Sequence, residues 1–218
     1  MQGTNGPGRR GAWGVVAVVL LVGVHLVRGG ADELRADGPP QPPAVAAPDA
    51  AGPAASAAPD PLPASPPVRV RVPSVRIDAP LAEVGLDAEG WIEAPPPNRR
   101  ELAGWFTRAV TPGERGTAVV VGHVDTPEGR GVFYDLGALA KGRLVEIARA
   151  DGRTAVFTVY GIEVVPKDGF PAERVYASTG LPELRLITCG GAYEPEGGYA
   201  GNVVVSARLT EVRSARPT

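Results

Sequence analysis

Cysteine is almost absent from this chain: its 218 residues contain one, Cys189. A lone thiol excludes an internal disulfide, the usual reason to keep cysteine in an exported protein, and leaves packing or chemistry as its role. Charge of one sign is lacking as well. Twenty-two basic and 24 acidic residues give a net charge of −2, which offers a polyanion no footprint and argues against nucleic acid as a partner. Histidine occurs only at His25 and His123. One cysteine and one body histidine fall short of a tetrahedral zinc set. The glycine pairs Gly190-Gly191 and Gly197-Gly198 are followed by no Gly-Lys-Ser/Thr, so neither is a phosphate loop; they supply backbone freedom and room beside the thiol. Nothing calls for a cofactor. Helical periodicity is sparse, and no repeat of constant period is present.

Glycine and proline are abundant, at 29 and 24 residues, too many for one compact domain. The excess is local and divides the chain. Residues 1–30 read as a cytoplasmic stub and a single-pass anchor. Arg9 and Arg10 precede Gly11–Val27, a stretch without formal charge. As a helix it reaches about 25 Å, enough to span a bilayer if its flanks snorkel. The arginines predict a cytoplasmic N-terminus and an extracytoplasmic body. Val27-Arg-Gly-Gly-Ala31 offers no clean small-x-small site, so an uncleaved anchor is preferred to a cleaved signal peptide. Residues 31–67 are rich in proline and alanine, with eleven prolines between Gly38 and Pro67. Such a stretch cannot bury enough apolar surface to offset its ordering entropy. It reads as a disordered but semi-rigid spacer, on the order of 90 Å long if extended as polyproline II.

Residues 68–212 form the folded body, followed by a tail at 213–218. The size supports a core without staples. Short β-rich runs at Val68–Val75, Thr117–His123, Leu144–Ala148, Thr154–Val165, Leu184–Cys189 and Val203–Thr210 alternate with Pro-Gly, Asp-Gly and Gly-Gly turns. Short helices are expected at Phe133–Ala140 and Pro97–Phe106. The pattern predicts a mainly β barrel or sandwich. Alternation places Val119, Val121 and His123 on one strand face, and Arg185, Ile187 and Cys189 on another. Both chemical groups then sit where a buried strand meets a loop, fixed by the core yet reachable.

Val121-Gly-His-Val-Asp-Thr126 and Leu186-Ile-Thr-Cys-Gly-Gly191 resemble the paired signatures of sortases, in particular the actinobacterial class F type. Trp105-Phe106 ahead of Pro112-Gly113, and Val132-Phe-Tyr-Asp-Leu136, also look like that class. The likeness runs from about Val72 to Leu209. It implies an eight-stranded β-barrel with one or two short helices. The implied activity is a cysteine transpeptidase acting on secreted proteins that carry a Leu-Pro-x-Thr-Gly-like sorting signal. Cys189 would attack the threonine carbonyl to give a thioacyl enzyme. His123 would protonate the departing amine and then assist an amine of a cell-wall precursor. The resemblance also places the Pro166–Pro182 loop, with Phe170, Pro171, Val175 and Tyr176, against a leucine-proline pair.

The family's usual arginine, a donor to the developing oxyanion, has no counterpart on the last strand. Asn202 is the preferred substitute, with Ala200 reached by a two-residue shift. An asparagine amide donates but brings no charge. Arg208 lies about 20 Å along the strand from Asn202, and Arg185, on the face of Cys189, is a second source of charge. Asp125 could orient His123 or simply occupy a turn. Glu194 and Glu196 are too few to argue for calcium. An L,D-transpeptidase is disfavoured because Thr188-Cys-Gly-Gly has no adjacent histidine. A non-catalytic barrel that binds wall or peptide ligands, and a scaffold that only presents its linker, remain open.

Overall fold

The computed structural model describes residues 38–42 and 59–214. The expected anchor at Gly11–Val27, the middle of the linker and the end of the tail lie outside the described residues. Among the described residues no helix is long and apolar enough to cross a membrane.

Ten strands follow in chain order: β1 (Pro67–Val72), β2 (Ile77–Val84), β3 (Ala103–Phe106), β4 (Gly116–Val121), β5 (Asp125–Thr126), β6 (Gly129–Arg130), β7 (Leu144–Arg149), β8 (Arg153–Pro166), β9 (Pro182–Glu194) and β10 (Gly198–Ser214). Eight of them close a barrel in the order β1-β2-β3-β4-β9-β10-β8-β7, and β5 with β6 forms a separate ribbon. The mainly β, eight-stranded expectation therefore holds. Aliphatic residues at alternate positions, many of them β-branched, fill the interior, among them Val70, Val72, Ala118, Val120, Leu184, Leu186, Val203 and Val205. Closure leaves the sheet without an unpaired edge.

The outer faces of β4 and β9 are apolar too, which a half-solvated strand would not show. Val119, Val121, Ile187, Val165 and Val204 pack there with Val175 into a second cluster, flanked by Ile92, Phe106, Phe170 and Tyr176. The cover comes from two connections: residues 85–102 after β2, and residues 167–181 after β8. The second carries the helix α1 (Ala172–Tyr176).

Helix positions differ from the sequence expectation. Phe133–Ala140 yields only a 3-10 turn at Tyr134–Ala138. Pro97–Phe106 contains no helix, since its last four residues are β3, paired parallel to β2 and antiparallel to β4. Ladder bonds to two neighbours there outweigh a local helical preference.

Both described flanks of the proline-rich stretch rest on the barrel. Leu62 N–H donates to Gly113 O (2.8 Å), and the buried Arg149 guanidinium donates to Pro63 O (2.6 Å) and to Pro112 O. Farther upstream, Gly191 N–H donates to Gln41 Oε1 (2.8 Å). The bonds run both ways: Leu62 donates to the barrel, while Pro63 O and Pro66 O accept from it.

Arg149 also pairs with Asp151 (2.9 Å). Hydrogen bonding to Arg149, opposed in part by desolvation, holds the Asp151 carboxyl down at a pKa of about 2. Because its folded value lies below its unfolded one, the pairing stabilises fully above about pH 4 and is lost as pH falls toward 2. Asp151→Asn should lower the neutral-pH melting temperature and flatten its decline between pH 4 and 2, as measured by circular dichroism.

Candidate active site

The site is built by register. β4 and β9 run parallel, with Val120 beside Leu186 and Val121 beside Ile187, and Gly122 N–H extends the ladder to Ile187 O (3.1 Å). Two residues farther along each chain stand His123 and Cys189. From the other side β10 places Asn202 directly opposite Cys189. Directly opposed residues carry their Cβ atoms about 5 Å apart on one face. Thus all three residues singled out in the sequence converge on one rim. His123, Cys189 and Asn202 are each half-buried there.

They line one cavity of about 450 Å³ whose floor is Val121 and Ile187. One wall comes from residues 85–102. Asp87 ties a tight turn by accepting from Glu89 N–H and Trp91 N–H, and a bridge joins Leu86 to Ile92. Trp91 is thereby held over the cavity although 55% exposed. An adjoining wall comes from Phe170 and Tyr176, with Trp91 meeting Phe170 edge-on at 6.2 Å. Burial pushes the Tyr176 phenol pKa up. Sequence reasoning found Phe170 and Tyr176 but missed Trp91 and Ile92, whose short apolar pair lies in a connection without periodicity.

Two polar atoms on these strand ends stand out. His123 Nε2 lies 2.6 Å from Pro95 O. Thr188 Oγ1 is buried and has no hydrogen-bond partner, an arrangement that costs about 1–3 kcal/mol. Alternation with Leu184 and Leu186, and pairing with Val203, turn this side chain to the barrel's interior face, away from Cys189. Among the described residues no group of three or more His, Cys, Asp or Glu side chains is placed to hold a metal ion.

The sortase domain profile matches residues 70–210 of the chain. It belongs to the sortase family. Solved structures agree in fold. The SrtA sortase from Actinomyces oris is 22% identical with a TM-score of 0.56, over 72% of this chain and 92% of that one. Sortase A from Listeria monocytogenes is 18% identical with a TM-score of 0.52, over 69% and 90%. Sortase C-1 from A. oris is 21% identical with a TM-score of 0.52, over 66% and 75%. No curated protein matches at a significant level. Family and fold together make the chain a sortase-type transpeptidase in general terms.

In this sortase neither arginine that the sequence offered as a source of charge lines the cavity. Arg185 and Arg208 both pair with Glu183, at 2.9 and 3.2 Å. Glu183 is 1% exposed and also accepts from Tyr160 (3.2 Å). Arg185 further donates to Val175 O (3.0 Å), anchoring α1. The physical reason is distance: Glu183 lies six residues before Cys189, about 20 Å along the strand. Asp125 does not orient His123 through a direct bond. It accepts instead from the Tyr199 hydroxyl, which ties the β5–β6 ribbon to the β9–β10 hairpin. Burial and that carboxylate push the Tyr199 pKa strongly up.

Proposed function

We propose that this sortase is an extracytoplasmic, class F-like cysteine transpeptidase that cleaves Leu-Pro-x-Thr-Gly-like sorting signals. The observation that carries the reading is the convergence of His123, Cys189 and Asn202 at one end of an apolar cavity. In this scheme the Cys189 thiolate attacks the threonine carbonyl carbon, and the scissile C–N bond breaks as His123 delivers a proton to the leaving glycine amine. The thioester that remains is resolved by a second amine, whose proton passes to His123. Asn202 and Lys167 line the cavity and are polar groups available to the bound peptide. Trp91, Phe170 and Tyr176 would hold the leucine-proline pair. The partners are secreted proteins bearing the signal and a cell-wall precursor or other amine acceptor, with the Gly11–Val27 segment holding the enzyme at the cell membrane.

The test is mass spectrometry of the purified protein with a panel of Leu-Pro-x-Thr-Gly-like peptides. Cleavage between Thr and Gly with an adduct on Cys189 supports the reading. Failure across the panel favours a non-catalytic barrel, a reading to which the sequestration of Arg185 and Arg208 by Glu183 lends weight. His123→Ala should reduce cleavage by about 10²–10⁴-fold while leaving the melting temperature nearly unchanged, as expected for loss of a positioned acid–base group.

A further inference from the structure

His123 is held by something outside its own strand. The acceptor 2.6 Å from Nε2 is a main-chain carbonyl, that of Pro95, in the same connection that supplies Trp91, Ile92 and Ala94 to the cavity. Its presentation is prepared by sequence. Pro95, Pro96 and Pro97 follow one another, so each fixes its own φ and bars the residue before it from helical ψ. Three prolines carry no N–H, so the run contributes acceptors only. Pro95 is the buried residue of the run, and its ring packs on Gly104 of β3. A Cβ at position 104 would lie 3.3 Å from Pro95 Cγ and 2.7 Å from Val84 Cγ1. Gly104 pairs in turn with Val121, two residues before His123. The carbonyl and the imidazole are thus referenced to the same strand.

We propose that Pro95 is a positioning residue for the transpeptidation: its carbonyl accepts the Nε2 proton of His123, fixes the ring plane, and leaves Nδ1 as the nitrogen that exchanges protons at the thiol. This inference rests on the acid–base role given to His123 above. A ring nitrogen's role is set by the bond its partner nitrogen makes. A rigid acceptor holds that bond without the rotamer entropy a side-chain carboxylate would lose. The other titratable groups near the ring are engaged or lie elsewhere. Asp125 is taken by Tyr199, Arg100 donates to Glu128 O, Glu93 lies beside Gly85, and Lys167 and Tyr176 line the cavity from the β8–β9 connection.

The test uses the full chain with ¹⁵N-labelled histidine. With two histidines present, an H25Q control assigns the spectrum. The wild type should show a low-field Hε2–Nε2 correlation for His123, protected from solvent exchange. The double variant P96G/P97G frees the backbone of residues 95–97 and should lose that correlation. Its kcat for the cleaved peptide should fall about 10–100-fold, with KM within about twofold, the signature of lost orientation rather than lost binding. P96A, which keeps Pro97, should lie between the two and serves if the double variant fails to fold. An unprotected Hε2 in the wild type, or cleavage by P96G/P97G as fast as wild type, would overturn the proposal. Faster cleavage would also overturn it, marking the carbonyl as a latch that keeps the ring from the thiol. A protected Hε2 in a wild type that cleaves no peptide counts against the transpeptidase reading alone.

Discussion

Cys189→Ala is expected to lower peptide cleavage by at least about 10⁴-fold and to eliminate any adduct trapped by hydroxylamine, with the fold intact. Loss of a covalent nucleophile removes the whole two-step route, and residual activity then comes only from binding and orientation. The fold should survive because Cys189 is half-buried at the end of the cavity, and trimming a rim thiol removes few contacts. Near-complete loss of turnover with an unchanged thermal midpoint is therefore the diagnostic pair. Turnover within tenfold of wild type would mean that the thiol is not the attacking group.

The largest effect on stability is expected far from the thiol, at Glu183. Its carboxylate is enclosed by Arg185, Arg208 and Tyr160, and Arg208 Nε is already buried without a partner. Glu183→Ala would leave two desolvated guanidinium groups facing each other without a counter-charge. Breaking a buried pair this way costs about 3–5 kcal/mol, which for a domain of this size is a drop in melting temperature on the order of 10 °C. Arg185 also ties down α1, so the cover over the cavity should loosen at the same time. Glu183→Gln keeps the shape and the acceptor oxygen and should recover part of the loss. Differential scanning calorimetry of the two variants checks both statements, and a change below about 1 kcal/mol in Glu183→Ala would contradict them.

Much of the barrel was legible because its strands alternate cleanly or run β-branched, as in Ala118–Val121 and Val203–Val205. β2 and β3 were not. β2 contains Pro80, which cannot donate to a ladder, and β3 reads Ala-Gly-Trp-Phe, where only its neighbours make it a strand. The histidine and cysteine were legible because alternation puts each on one face at a strand end, and because the two motifs around them resemble a known pair. Asn202 emerged from aligning a final strand and is found opposite Cys189. The fate of Arg185 could not be read in full, because alternation puts Glu183 on its face but does not show that Arg208 and Tyr160 reach that carboxylate from neighbouring strands. Nor could the Pro95 contact, since residues 85–102 carry no period to project from. Linear patterns report which way a side chain points, and only closure of the barrel reports what it meets.

The parallel β4–β9 pairing carries a consequence for kinship. Spatial proximity of the imidazole and the sulfur is set by a ladder, so the 66-position interval between them in the primary structure is mechanically idle. Loops at Pro127–Glu128, Lys141–Gly142, Asp151–Gly152 and Lys167–Leu181 can lengthen or shorten without moving either group. One residue inserted inside β4 or β9 would instead flip every later side chain of that strand to the opposite face, carrying His123 or Cys189 away from the cavity. Distant kin of this enzyme should therefore vary freely in interval and hardly at all in strand phase.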